Sequence, residues 1–77
     1  MAELVAFLAR QLVDDPGQVR VDEVEREGAI VFQLYVAPED RGKVIGRQGR
    51  IARALRTIVR AGSATTGRKL LLEIVEE

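Results

Sequence analysis

Apolar residues recur at helical spacing near the start of the chain, with Leu4, Val5, Leu8 and Leu12 on one stripe and Phe7 beside them. The pattern predicts an amphipathic helix over residues 2–13 that buries this stripe against a core. Its polar face offers only Arg10 against Glu3, too little positive charge for a helix that lies on a membrane surface. Asp14-Asp15-Pro16-Gly17 ends it, because a proline cannot continue the hydrogen-bond ladder. Residues 18–26 read as a strand with Val19 and Val21 on one face. Val24 falls out of that register, which predicts a bulge or a shift near Asp22-Glu23. Glu27-Gly28 is a turn signal, and residues 29–36 then alternate cleanly, with Ile30, Phe32, Leu34 and Val36 opposite Val31, Gln33 and Tyr35. Two strands this close in sequence predict an antiparallel hairpin.

Pro38 suits the first turn of a short helix, with Glu39 and Asp40 at its positive end, running to about Ile45. Gly46-Arg47-Gln48-Gly49 interrupts the pattern. A longer helix is predicted from Arg50 to about Ala61, with Ile51, Leu55, Ile58 and Val59 on one side, ended by Gly62 and Ser63 and followed by a loop over 64–67. Residues 68–75 form a last strand in which Leu70, Leu72 and Ile74 alternate with Leu71 and Val75. The order is α-β-β-α-α-β, an α+β chain expected to form one domain over residues 1–77.

Composition removes several chemistries. With no Cys and no His among 77 residues, disulfides, thiolate metal sites, thiol nucleophiles and imidazole acid–base catalysis are all excluded. Ser63 is the single serine and has no histidine to activate it, and the carboxylates show no metal-ligand spacing, so neither an enzyme nor a cofactor is expected. No apolar run approaches the ~20 residues of a membrane span, and a soluble, cytoplasmic protein is expected. The formal net charge of zero conceals a strong polarity: residues 1–40 carry −6, residues 41–69 carry +9 without one acidic side chain, and residues 70–77 carry −3.

The interruption at Gly46-Arg47-Gln48-Gly49 falls in the middle of the acid-free stretch. Two glycines three apart let the backbone turn sharply and approach a ligand without Cβ interference. The helix that begins at Arg50 points free N–H groups and the positive end of its dipole into that turn. With Lys43, Arg47 and Arg50 nearby, and Val44, Ile45 and Ile51 as apolar neighbours, the segment fits a phosphate-bearing chain whose bases lie on aliphatic surface. A G-x-x-G between helices is most often only a turn, but other glycine motifs fit less well. No Lys-Ser or Lys-Thr pair completes a Walker A loop, and no G-x-G-x-x-G follows a strand.

Val44-Ile45-Gly46-Arg47-Gln48-Gly49-Arg50-Ile51 resembles the V-I-G-x-x-G-x-x-I signature of KH domains, with Ala52 at the place where the family usually has its last apolar residue and Ile51 one place before it. The element order is similar to the type II arrangement of that fold, a three-stranded sheet packed against three helices. The length and the Gly42–Arg50 stretch resemble the small bacterial RNA-binding proteins of the KhpA (YlqC) family. The resemblance implies a protein that holds about four nucleotides of single-stranded RNA, acting as a post-transcriptional regulator or RNA chaperone. Carried onto this chain, Gly46 and Gly49 shape a backbone clamp, Arg47 and Gln48 present donors at its tip, and Ile45 and Ile51 floor the bases. Lys43, Arg50 and Arg53 lie near enough to meet phosphate, and the sheet edge near residues 29–36 is expected to read base edges. Arg56 and Arg60 continue the arginine face of the same helix, where a solvated face or a subunit contact is as open as RNA contact. The family also implies a homodimer, with the Arg50–Ala61 helix as first candidate surface, and pairing with a larger KH-containing protein of the KhpB (Jag) kind. A dimerisation or adapter module with secondary RNA binding is the competing function.

Overall fold

The computed structural model describes residues 1–46 and 49–75. Helix α1 (Ala2–Leu12) is followed by a 3-10 turn at Pro16–Gln18, strands β1 (Arg20–Arg26) and β2 (Ala29–Tyr35), helices α2 (Pro38–Ile45) and α3 (Arg50–Thr66), and strand β3 (Leu70–Ile74). This is the α-β-β-α-α-β order and α+β class that the periodicity predicts.

The hairpin closes through two residues with left-handed backbone, Glu27 (φ 52°) and Gly28 (φ 81°), the geometry whose twist matches paired strands. β1 and β2 then pair antiparallel without interruption from Arg26↔Ala29 to Arg20↔Tyr35. The bulge or shift expected at Asp22-Glu23 is therefore absent. Val24 is out of step with Val21 because it belongs to the opposite face, where it lies in one row with Val31 and Leu71. β3 joins the other side of β2 in parallel, Ile30↔Leu70 to Leu34↔Ile74, a pairing that requires a crossover, here built from α2 and α3. The sheet order β1-β2-β3 makes β2 the central strand.

The helices bury the face that carries Phe32, Leu34, Leu70 and Leu72. Val5, Phe32, Val59 and Leu70 form one cluster, while Ala6, Ala9, Leu34, Val44, Ala52 and Leu55 form the other. Burial of each large side chain here contributes about 1.5–3 kcal/mol. The inward stripe of α1 differs from the one expected. Val5, Ala6 and Ala9 are buried, whereas Leu4, Phe7 and Leu12 are 46%, 56% and 39% exposed. Ala6 and Ala9 share a cluster with Ala52 and Leu55, so the small residues make the helix–helix contact and turn the larger ones outward.

α3 is longer than its glycine suggests. Gly62 lies inside the helix, where an added Cβ would strike the end of the Met1 side chain, so it serves close packing rather than termination. Gly67 stops the helix instead, with φ 73° and its N–H bonded to the Ser63 carbonyl. The Ser63 hydroxyl donates to the Arg68 carbonyl (2.6 Å) and accepts from the Leu70 N–H (3.3 Å), tying the helix end to the start of β3.

α2 has only eight residues and depends on tertiary ties. Val44 is fully buried beneath it. Asp40, 1% exposed, accepts the backbone N–H groups of Asp14 (3.0 Å) and Asp15 (2.9 Å), one on each carboxylate oxygen. Lys43 adds an ion pair to Asp14 at 3.1 Å. Sequence reading assigned Asp40 only to the helix dipole; its buried role depends on a loop 25 residues away. Asp40→Asn supplies one acceptor for two inward-facing donors and is expected to cost about 1–3 kcal/mol, read as a lower midpoint in urea unfolding with an unchanged slope.

Candidate nucleic-acid interface

α2 ends at Ile45, and Gly46 caps it with extended backbone (φ −73°, ψ −171°) while its N–H bonds the Gly42 carbonyl at 2.7 Å. A Cβ on Gly46 would collide with that carbonyl oxygen, so the position excludes any side chain. Gly49 sits in left-handed backbone (φ 65°, ψ 31°), bonds the Gly46 carbonyl at 2.8 Å and opens α3. Open space surrounds its missing Cβ, so conformation rather than crowding demands glycine there. Arg47 and Gln48, the expected donors at the tip, lie outside the described residues. The first turn of α3 contains no acidic residue, which leaves the positive end of its dipole uncompensated.

Beside this corner runs a groove of about 540 Å³. Gly49, Ala52 and Arg56 line one wall from α3, spaced so that they share one helix face. Leu71, Leu72 and Ile74 of β3 line the other, and Ile45 closes the end. Arg26 and Glu73 also reach the groove, but they pair with each other at 3.4 Å, and Gln33 donates to the same carboxylate at 3.1 Å. A second depression of about 290 Å³ continues past Arg56 and Leu71 to Arg60 and Lys69, with no acidic residue among its described lining. The channel thus passes from a neutralised, aliphatic section to a wholly basic one.

The residues expected from the sequence divide between several places. Gly46 and Gly49 form the corner, and Ile45, exposed, faces the groove. Ile51 packs against the core from a half-buried position, while Ala52 takes the groove-facing place. Lys43 is held by Asp14. Arg50 and Arg53 are exposed on α3, away from the groove's described lining. The sheet edge also differs from expectation. β2 is bonded on both sides, so its backbone cannot meet a ligand, and the strand beside the groove is β3. Sequence reading left Arg56 undecided and missed Leu71, Leu72 and Ile74. The i, i+3, i+7 spacing of Gly49, Ala52 and Arg56 was the available signal for the first of these.

Comparison with known proteins identifies the family and the fold. Residues 2–74 match the family model described as KhpA/KhpB, KH domain. The chain is similar to the RNA-binding protein KhpA of Clostridium perfringens, 51% identical over 75 residues that cover 97% of this chain and 100% of that protein. It is also similar to the RNA-binding protein KhpA of Aquifex aeolicus, 49% identical over 76 residues that cover 99% and 96%. Among solved structures, Era from Aquifex aeolicus bound to GDP and AlF4− superposes with a TM-score of 0.61 at 19% identity. Era in complex with MgGDPNP and nucleotides 1506–1542 of 16S ribosomal RNA gives 0.62, also at 19%. Each match covers 95% of this chain but only 28% of the Era chain, so the likeness concerns the fold.

The two glycines of the corner should respond differently to alanine. Gly49→Ala is expected to cost about 1 kcal/mol, the ordinary penalty of left-handed backbone. Gly46→Ala must displace the last turn of α2 and is expected to cost more. Urea unfolding of both variants checks the order.

Proposed function

Because the chain belongs to the KhpA/KhpB KH-domain family, we propose that it binds single-stranded RNA, holding about four nucleotides between the Gly46–Gly49 corner and β3. The observation that carries this reading is the placement of an aliphatic groove directly against an acid-free helix N-terminus. Phosphates meet the backbone N–H groups at the start of α3, together with Arg47, Gln48, Arg50 and Arg53. Bases lie on Ile45, Leu71 and Ile74, and the outer edge of β3 offers backbone groups to base edges. Arg56 contacts the strand within the groove, and Arg60 and Lys69 draw it onward. Lys43 reaches phosphate only by leaving Asp14, and Ile51 supports the floor from beneath. Aliphatic contact to bases is tolerant of sequence, in keeping with a cytoplasmic post-transcriptional regulator or RNA chaperone.

Self-association, or pairing with a larger KhpB-like protein, adds a second linked contact and raises affinity for longer RNA. The exposed apolar residues of α1 favour a competing reading in which the fold is a dimerisation or adapter module.

Charge inversion by Arg47→Asp with Gln48→Asp separates the two. On the RNA-binding reading, affinity for a fluorescent octauridylate falls at least about tenfold, as expected for losing charge-assisted contacts, while the thermal melt and mass in solution stay unchanged. Unchanged affinity favours the adapter. For the unaltered protein, log K against log salt should slope about −2 to −3, from ~0.7 per phosphate over three or four contacts. Arg56→Ala should reduce that slope by about one contact's worth.

A further inference from the structure

The basic depression beyond Arg56 continues the groove without a boundary, because Arg56, Leu71 and Leu72 line both spaces. Along α3 the lining positions are Gly49, Ala52 and Arg56, then Val59, Arg60 and Ser63, all on one helix face. Along β3 they run the other way, from Ile74 back to Leu70 and Lys69. The same two walls therefore carry on past the section that about four nucleotides fill. From Arg56 to Ser63 the helix advances about 10 Å. A stacked strand rises about 3.4 Å per nucleotide and an unstacked one more, so this stretch has room for about two further nucleotides.

The chemistry here suits phosphate rather than base. The polar groups of the floor are already matched: the Ser63 hydroxyl donates to the Arg68 carbonyl at 2.6 Å and accepts the Leu70 N–H at 3.3 Å. The Lys69 carbonyl accepts the Ile30 N–H at 2.9 Å. Val59 and Leu70 beneath are buried hydrocarbon. What stands exposed is cationic, Arg60 and Lys69, with Arg56 at the junction. The ion pairs among the described residues engage Arg20, Arg26 and Lys43, which leaves the charges of these three for a ligand. In the groove itself, by contrast, Glu73 offsets Arg26.

We infer that this depression is a base-blind subsite of the RNA path, in which Arg60 and Lys69 hold the two backbone phosphates beyond the four-nucleotide segment. The inference rests on the groove reading above and lengthens the footprint to about six nucleotides. The extension is at one end only, because Ile45 closes the other end of the groove.

The test uses tetrauridylate without a terminal phosphate, alone or extended at its 5′ or its 3′ end by two abasic ribose phosphates. The extensions add charge but no base, so the oligomer gains no new register in the groove. Each is titrated by NMR into the unaltered protein and into Arg60→Gln with Lys69→Gln, neutral side chains of similar length. Extension at one end should raise affinity about tenfold, as for two exposed charge-assisted contacts, and shift the Lys69 and Leu70 amides. It should also steepen the dependence of log K on log salt by about 1.4, from ~0.7 per phosphate. In the double variant the ratio of extended to bare affinity should fall close to one. Equal gains at both ends, no gain at either, or a gain that survives the double variant would each overturn the subsite. A surviving gain with a lowered mass in solution would assign the two cations to a subunit contact instead. Bare tetrauridylate that leaves the Ile45 and Gly49 amides unshifted overturns the groove reading, and the subsite with it.

Discussion

Gly46 and the Gly42 carbonyl leave no volume between them for a side chain, and Gly49 a few residues later requires left-handed backbone. Together these two demands turn the chain from α2 into α3 at the point where the groove ends. The direction of α3 then delivers residue 70 beside Ile30, which makes the last pairing parallel and places β3 at the edge of the sheet. A looser connection would free α3 from that course and open the space between Ala52, Arg56 and β3. The corner therefore sets the course of the second half of the chain and also borders the groove.

The two outer strands of the sheet differ in the charge they carry. β1 carries Arg20, Asp22, Glu23, Glu25 and Arg26, a charge density that discourages pairing with a further strand. β3 carries one charge, Glu73, already engaged by Arg26 and Gln33. Charge closes one edge, and a groove faces the other. The acid-free segment from Arg41 to Lys69 supplies α3 with its exposed arginines, so a chain with no net charge presents a basic channel along one side. Local field, rather than total charge, decides what such a surface attracts.

The mooring of α2 links stability to the glycine corner and the groove beside it. An eight-residue helix has little stability of its own, and the helix that ends at Gly46 is held by Val44 from below and by Asp40 from the side. Lys43 belongs to the same mooring through Asp14 while lying one turn from the corner. On the proposed function, a ligand phosphate would compete with the Asp14 carboxylate for that one ammonium group. The pair is largely solvent-exposed on the Asp14 side, which makes the exchange inexpensive.

The element order, the two-residue hairpin turn, the limits of α2 and the glycine corner were all legible in the sequence, because each follows from interactions between residues close along the chain. Proline at a helix start, glycine at a positive φ and strict alternation in a strand leave local marks. What the sequence could not express was which of several possible neighbours each surface would meet. α1 offered Leu4, Phe7 and Leu12 as well as Ala6 and Ala9, and the tight approach of α3 selected the alanines. Gly62 read as a helix end, yet α3 runs on to Thr66 and Gly67 stops it. Residues 29–36 were expected to read base edges from the sheet edge, yet a strand that pairs on both sides has no free backbone, and only the parallel return of β3 decides which edge remains open. Local chemistry determined the pieces of this protein; burial and hydrogen bonding between distant segments, which depend on excluded volume in three dimensions, decided which faces they show.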